Sequence, residues 1–405
     1  MNAIVGQSGG PTAVINASLA GVYEAAVRRG AGRVYGMRHG VQGLLQRQYV
    51  DLSDHIRSDL DVELLKRTPS SFLGSCRYKL PEIQDKPEVY RTLFSILEEL
   101  EIGWFFYIGG NDSMDTISKL SDYGRQVNSP IRFVGVPKTI DNDLEGTDHT
   151  PGFGSAAKYI ATLMKEIIRD SLVYDMRSVT VVEIMGRNAG WLTSAASLAA
   201  GDDCEGVDRI YLPEVAFDPE AFVQDIRALQ ETKGNVVVAV SEGIRTADGR
   251  YVCELQEELG PRDAFGHKIL TGTARYLAGL LTERLGTKAR AIELSTLQRC
   301  SSHTASRTDI TEAYQVGGAA VKAASEGHTG EMVGLSRLSD DPYQCATVTH
   351  DIHEIANREK RIPVEWITPD HANVTEELRR YLRPLIQAEL TPIYVNGLPR
   401  HIYLK

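Results

Sequence analysis

The chain is short of the features that mark a disulfide-bonded, metal-stapled or membrane protein. Five cysteines in 405 residues stand at positions 76, 204, 253, 300 and 345, with no Cys-x-x-Cys pair. An odd, scattered set gives neither a disulfide framework nor a thiolate metal site and fits a reducing compartment. No run of about 18 uncharged apolar residues occurs, so no membrane-spanning helix is expected. The first residues enter a short apolar strand without the basic and long apolar regions of a secretory signal, and a cytoplasmic location is expected. Positive charge is in deficit: 44 Lys and Arg stand against 54 Asp and Glu, a net charge of −10. That argues against a nucleic-acid partner, which needs a basic surface. An anionic substrate would require a local basic pocket. A Gly-x-Gly-x-x-Gly fingerprint is missing after the first strand, which speaks against a dinucleotide oxidoreductase.

What is present is an ordinary globular composition, 42% apolar and 24% charged, in a chain long enough for two lobes. Strand–turn–helix units recur. Ala3-Ile4-Val5 leads into Gln7-Ser8-Gly9-Gly10-Pro11-Thr12 and a helix over 13–29. Further helices are expected over 93–102, 114–126, 155–174, 219–232, 271–285 and 312–325. Apolar strands are expected over 104–108, 131–136, 179–184, 236–240 and 289–294. This alternation predicts an α/β fold with largely parallel sheets covered by helices. From about residue 340 the chain turns proline-rich, with one helix expected over 375–388, and reads as an extension packed on the body.

Two loops carry the chemistry. Gly109-Gly110-Asn111-Asp112-Ser113 follows the 104–108 run, and Pro137-Lys138-Thr139-Ile140-Asp141-Asn142-Asp143 follows the 131–136 run. Polar loops at neighbouring strand ends are where open α/β sheets hold ligands. A glycine turn before a helix suits phosphate, and carboxylates beside a lysine suit acid–base work on a hydroxyl. Together they predict phosphoryl transfer.

With Phe72-Leu73-Gly74-Ser75-Cys76-Arg77, Met185-Gly186-Arg187, Ser241-Glu242-Gly243, Leu297-Gln298-Arg299 and the 7–16 stretch, these loops form seven motifs in one order over the first 330 residues. In that order the chain resembles the phosphofructokinase family, and within it the pyrophosphate-dependent branch. The resemblance implies two Rossmann-like lobes with a cleft between them: 1–150 for pyrophosphate and Mg²⁺, 151–330 for the sugar phosphate with the chain crossing back, and 331–405 as the extension. It implies transfer from pyrophosphate to the 1-hydroxyl of fructose 6-phosphate, reversibly, as in glycolysis and gluconeogenesis, by a homodimer or homotetramer.

The resemblance also assigns roles. Asp141 is the implied general base, and Arg77 bridges the transferring phosphoryl group. Gly10, Gly110, Asp112 and Lys138 hold the donor, with Asn111 or Asp112 at the metal. Thr139, Asp143, Met185, Gly186, Arg187, Glu242, Arg290, Thr296 and Arg299 surround the sugar phosphate, and Arg177 is a candidate for reaching a neighbouring subunit's site. ATP-using relatives carry glycine at the position of Asp112 and usually at that of Lys138. A carboxylate there repels an α-phosphate at about 4 Å by roughly 1 kcal/mol in water and about 4 kcal/mol at an effective dielectric near 20. Val41 falls about where such relatives place an aromatic against adenine. Asn111 and Thr296 depart from the family's aspartate and its histidine or tyrosine; His303, nearby, could compensate for the latter but, as a lone histidine, reads as structural. The alternatives are an ATP-dependent or mixed-donor enzyme, the same chemistry on sedoheptulose 7-phosphate, and a catalytically silent regulatory subunit.

Overall fold

The computed structural model describes residues 1–173, 175–255, 270, 272–404. The ends of two expected helices, Tyr174 and Thr271, lie outside the described residues.

Two sheets organise the chain. The first has seven strands in the order β11-β10-β5-β4-β1-β2-β3, with β3 (Tyr49–Asp51) antiparallel to β2 at one edge. Its centre is β1 (Asn2–Gln7), β4 (Ile102–Gly109) and β5 (Arg132–Pro137). These strands are parallel, and β2 (Val34–Met37) continues the parallel run beyond β1. All eight residues of β4 are buried, as expected for a strand covered on both faces. One apolar cluster joins Val5, Phe106 and Val134 to the helices Ile15–Arg28 and Arg307–Ser325. The other joins Phe105, Tyr107 and Phe133 to the helices Pro87–Glu99 and Asn111–Gln126.

The second sheet is parallel throughout, in the order β7-β8-β6-β9: β6 (Ser178–Ile184), β7 (Arg209–Tyr211), β8 (Asn235–Ser241) and β9 (Lys288–Glu293). Helix Phe153–Ser171 packs on one face, with Trp191, Leu192 and Leu382 in the same cluster. Helices Pro219–Thr232 and Thr273–Leu285 cover the other face.

The expected extension from residue 331 is corrected by this topology. Strands β10 (Glu331–Asp340) and β11 (Tyr343–Asp351) belong to the first sheet, with β10 parallel to β5 and β11 antiparallel to β10. Met332, Val333 and Leu335 are buried and bring the same apolar gain as the strands before them. The chain therefore returns to the first sheet before its tail begins. Helix Arg307–Ser325 is part of that return. Its Asp309 accepts the N–H groups of Gly152 (2.9 Å) and Ser155 (2.8 Å), capping the helix Phe153–Ser171 that serves the second sheet.

Candidate active site

The carboxyl ends of β1, β4, β5, β6 and β8 face one cleft of about 710 Å³, within the range of small-molecule sites. On its first wall, β4 ends in Gly109, where an added Cβ would lie 1.8 Å from Ser113 Oγ. Only glycine lets the helix Asn111–Gln126 begin this close to the strand. Ser113 in turn hydrogen-bonds Ser8 at the end of β1. The Arg77 loop is tied to the same turn, because Gly9 N–H donates to the Cys76 carbonyl (3.1 Å) and Ser75 Oγ to the Gly9 carbonyl (2.6 Å).

Lys138 emerges from β5 and is 2% exposed. Its ammonium donates to the Gly10 carbonyl (2.6 Å). Burial, with the Arg299 and Arg77 charges, outweighs the attraction of Asp141 and lowers its pKa to about 8. A polyanion beside it would raise its proton affinity again.

Asp141 lies on a short turn. Its N–H donates to Thr139 Oγ1 (3.1 Å), and Asn142 is held at a φ of 56°. The Asn142 amide donates to Tyr381 Oη (2.9 Å) and accepts from Thr150 N–H (2.9 Å), so Asp141 and Asp143 are presented on a braced hinge. Burial raises the pKa of Asp141 against the pull of Arg187 and Lys138. Asp143 is pushed to about 7 by burial and by the neighbouring Asp141 and Glu359 carboxylates. A buried carboxylate between cations with a raised proton affinity is suited to accept a proton near neutral pH.

The opposite wall comes from the second sheet. Met185, Arg187, Glu242 and Arg299 line it. Glu242 accepts from Gly186 N–H (3.4 Å), and burial, then Asp141 and Glu183, push its pKa to about 8. Gly243 is obligatory there, since a Cβ would meet the Arg187 carbonyl oxygen at 2.0 Å. Arg299 reaches back across the cleft: its guanidinium lies 3.3 Å from where a Cβ on Gly10 would stand. Arg77, Lys138, Arg187 and Arg299 bring positive charge into the cleft beside its carboxylates Asp112, Asp141, Asp143, Glu242 and Glu359.

A family model described as Phosphofructokinase matches residues 2–324. The chain belongs to the phosphofructokinase family. It is 43% identical, over 100% of its own length and 96% of the relative's, to the pyrophosphate--fructose 6-phosphate 1-phosphotransferase of Methylococcus capsulatus. Identity to the Halomonas elongata protein of the same name is 41%, over 98% of this chain and 95% of that one. The crystal structure of a pyrophosphate-dependent phosphofructokinase from Nitrosospira multiformis superimposes with a TM-score of 0.89 at 39% identity. It covers 100% of this chain and 96% of that one.

Within this phosphofructokinase, the expected site residues divide. Gly10, Arg77, Gly110, Asn111, Asp112, Lys138, Thr139, Asp141, Asp143, Met185, Arg187, Glu242 and Arg299 all line the cleft. Gly186 contributes its backbone behind Glu242. Other expected residues lie outside the cleft of the single chain. Arg290 is exposed on the edge strand β9, 3.9 Å from Asp170, and does not line the cleft. Thr296 is also exposed and outside it, and His303, read as structural, lies outside it as well. Val41 is 1% exposed, sits in the core with Tyr107 and Leu80, and does not line the cleft.

The donor set fits a divalent cation only in company with phosphate. Asn111 Oδ1 is buried without a hydrogen-bond partner, beside the Asp112 carboxylate. Among the described residues no cluster of three or more His, Cys, Asp or Glu could hold an ion alone. Mg²⁺ asks for no more than one or two carboxylates plus phosphate oxygens and waters. Sequence reasoning missed Tyr78, Lys79, Asn188, Asn357 and Glu359, which also line the cleft. Tyr78 and Lys79 follow Arg77 directly and Asn188 follows Arg187, so adjacency was the available signal. Asn357 and Glu359 carry no local motif.

Proposed function

We propose that this phosphofructokinase transfers a phosphoryl group from pyrophosphate to the 1-hydroxyl of fructose 6-phosphate, giving fructose 1,6-bisphosphate and phosphate, in either direction. The observation that carries the reading is the meeting of Lys138, Arg77 and Asp112 with the Asp141 turn, opposite Arg187, Glu242 and Arg299, in one cleft. The names of the 38–43% identical relatives support the donor.

In the forward direction the sugar O1 attacks the nearer phosphorus, the bridging P–O bond breaks, and inorganic phosphate leaves. Asp141 orients the hydroxyl and takes its proton. Arg77 spans the transferring group with its planar fork, and Lys138 offers a point charge to the donor. Arg187 and Glu242 hold the sugar, and Arg299 its phosphate. Asp112 and Asn111, together with phosphate oxygens, would hold Mg²⁺, which would supply charge neutralisation on the donor. Asp112 also sets donor choice, because its carboxylate repels the extra phosphate of a nucleotide.

The first sheet, including β10 and β11, is the donor lobe of this reading, and the second is the sugar-phosphate lobe. The enzyme acts in the cytoplasm as a homodimer or homotetramer. Arg177 immediately precedes the interior strand β6, at its amino end, and Arg290 lies on the neighbouring edge strand β9, opposite Thr180. Both are exposed, near Leu172, Val173 and Met176 at 51%, 68% and 44% exposure. We place them at a neighbouring subunit's sugar phosphate. Initial rates with fructose 6-phosphate and Mg²⁺, with pyrophosphate in one set and ATP in the other, test the whole reading. Strong preference for pyrophosphate is expected; preference for ATP removes the donor assignment and leaves the acceptor.

A further inference from the structure

After β11 and a single helical turn, the chain passes over the cleft as a short strap, residues 357–361. Its successive side chains and backbone groups reach different walls. Asn357 donates to Asp115 Oδ1 on the donor-side helix (3.2 Å). Lys360 N–H donates to the Asp143 carbonyl (2.8 Å), and its ammonium to the carbonyls of Thr147 (3.0 Å) and Asp148 (2.7 Å). Trp191, from the second lobe, donates its indole N–H to the Lys360 carbonyl (3.1 Å).

Between these anchors, Glu359 faces the cleft and accepts the Asn188 amide on both oxygens, at 3.0 and 3.2 Å. The other end of that amide accepts from Arg245 (2.8 Å), whose guanidinium also donates to Tyr251 Oη (2.5 Å). Asn188 is thus pinned from both sides, one residue beyond Arg187. All of 357–361 lies outside the segment matched by the family model, residues 2–324.

We propose that Glu359 is a positioning residue: its carboxylate latches the Asn188 amide across the cleft and holds the Arg187 loop in register with the Asp141 turn. The proposal rests on the function argued above, since it concerns the same cleft. Its physical basis is the sensitivity of in-line transfer to placement, where a shift of about 1 Å can cost ~10²-fold in rate. Two loops from different sheets have no covalent reason to keep such a register. A strap anchored on one and hydrogen-bonded to the other provides it. Glutamine preserves the acceptor oxygen, whereas alanine removes it.

The test uses the full chain. Glu359→Ala is expected to lower kcat by ~10-fold or more and to raise KM for fructose 6-phosphate, with KM for the donor much less changed. Glu359→Gln should regain most of the loss, and Asn188→Ala should reproduce the Glu359→Ala defect from the other side. The Glu359→Ala, Asn188→Ala double variant should be little worse than either alone. Hydrogen exchange of the 185–190 amides, faster in Glu359→Ala and restored in Glu359→Gln, reads the latch without turnover. Equal impairment by Ala and Gln, additive losses, or unchanged exchange would each overturn it. If the native enzyme transfers no phosphoryl group, the functional reading fails while the exchange measurement still decides the latch. Failure of Glu359→Ala to fold leaves Asn188→Ala to carry the same comparison.

Discussion

Replacing Asp112 is the most direct probe of donor choice. Asp112 lies in the first turn of the helix Asn111–Gln126 and lines the cleft beside Gly110. Its carboxylate enjoys the positive end of that helix, worth about 0.3–1 kcal/mol. Asp112→Gly removes this and adds a propensity difference of about 0.3 kcal/mol, since aspartate is itself a poor helix former, so a stability loss of about 0.5–1.5 kcal/mol is expected. Against that modest cost stands the relief of charge repulsion. At about 4 Å it ranges from roughly 1 kcal/mol in water to about 4 kcal/mol at an effective dielectric near 20. At about 1.4 kcal/mol per decade, kcat/KM for ATP should rise between roughly fivefold and a thousandfold. Use of pyrophosphate should fall, because the metal and donor lose a carboxylate. Asp112→Asn separates charge from size: it removes the charge and keeps a side chain. The assay is the ratio of kcat/KM for the two donors at fixed fructose 6-phosphate and Mg²⁺. If ATP use stays within about twofold of the native value in both variants, the electrostatic account of donor choice is wrong.

Asp141→Ala should cut kcat by at least ~10², with little change in sugar-phosphate affinity measured by calorimetry; near-native turnover would exclude it as the base. In the free enzyme Lys138 loses its proton near pH 8, so kcat/KM for pyrophosphate should decline above that pH. A flat profile to pH 9.5 would show that its charge does not grip the donor. His149, buried between Asp148 and Glu312, has its pKa raised to about 9 because those carboxylates outweigh the burial that would lower it. The stability it contributes is complete below its unfolded value of 6.5 and is lost as pH rises through about 9, a change of about 3 kcal/mol. Urea unfolding between pH 6.5 and 9.5 measures this, and His149→Gln should abolish that part of the dependence.

The parts of the site that were legible in sequence share one property: each sits where an apolar run ends in glycine and charge. The runs 104–108 and 131–136 became β4 and β5 with their loops at the cleft, because fully buried parallel strands write their position as uninterrupted apolar residues. Strands β10 and β11 were not legible for the opposite reason. β11 is the edge strand and reads Tyr-Gln-Cys-Ala-Thr-Val-Thr-His-Asp, with no fully buried residue, while β10 beside it is buried only over Met332–Leu335. Prolines nearby made the segment look irregular. Arg290 misled in a related way. Its strand ends near the cleft, but β9 is an edge strand and alternation carries Arg290 outward. Val41 was matched to a ligand-facing position by register alone, whereas the packing of Tyr107 and Leu80 draws it inward. Glu359 left no trace because its neighbours in space, Asn188 and Asp143, are distant in sequence.

The cleft draws on residues from Ser8 to Glu359, and this order has a consequence during synthesis. A nascent chain has the Ser8–Gly10 turn almost at once, yet the strap that spans both walls emerges near the end. At 5–20 residues per second the interval is on the order of 20–70 s. As each cation of the cleft emerges it stands without Glu359, and from its own completion until β10 arrives β5 offers an unpaired edge. The growing polypeptide is therefore most in need of a chaperone in the stretch between the completion of β5 and the arrival of β10.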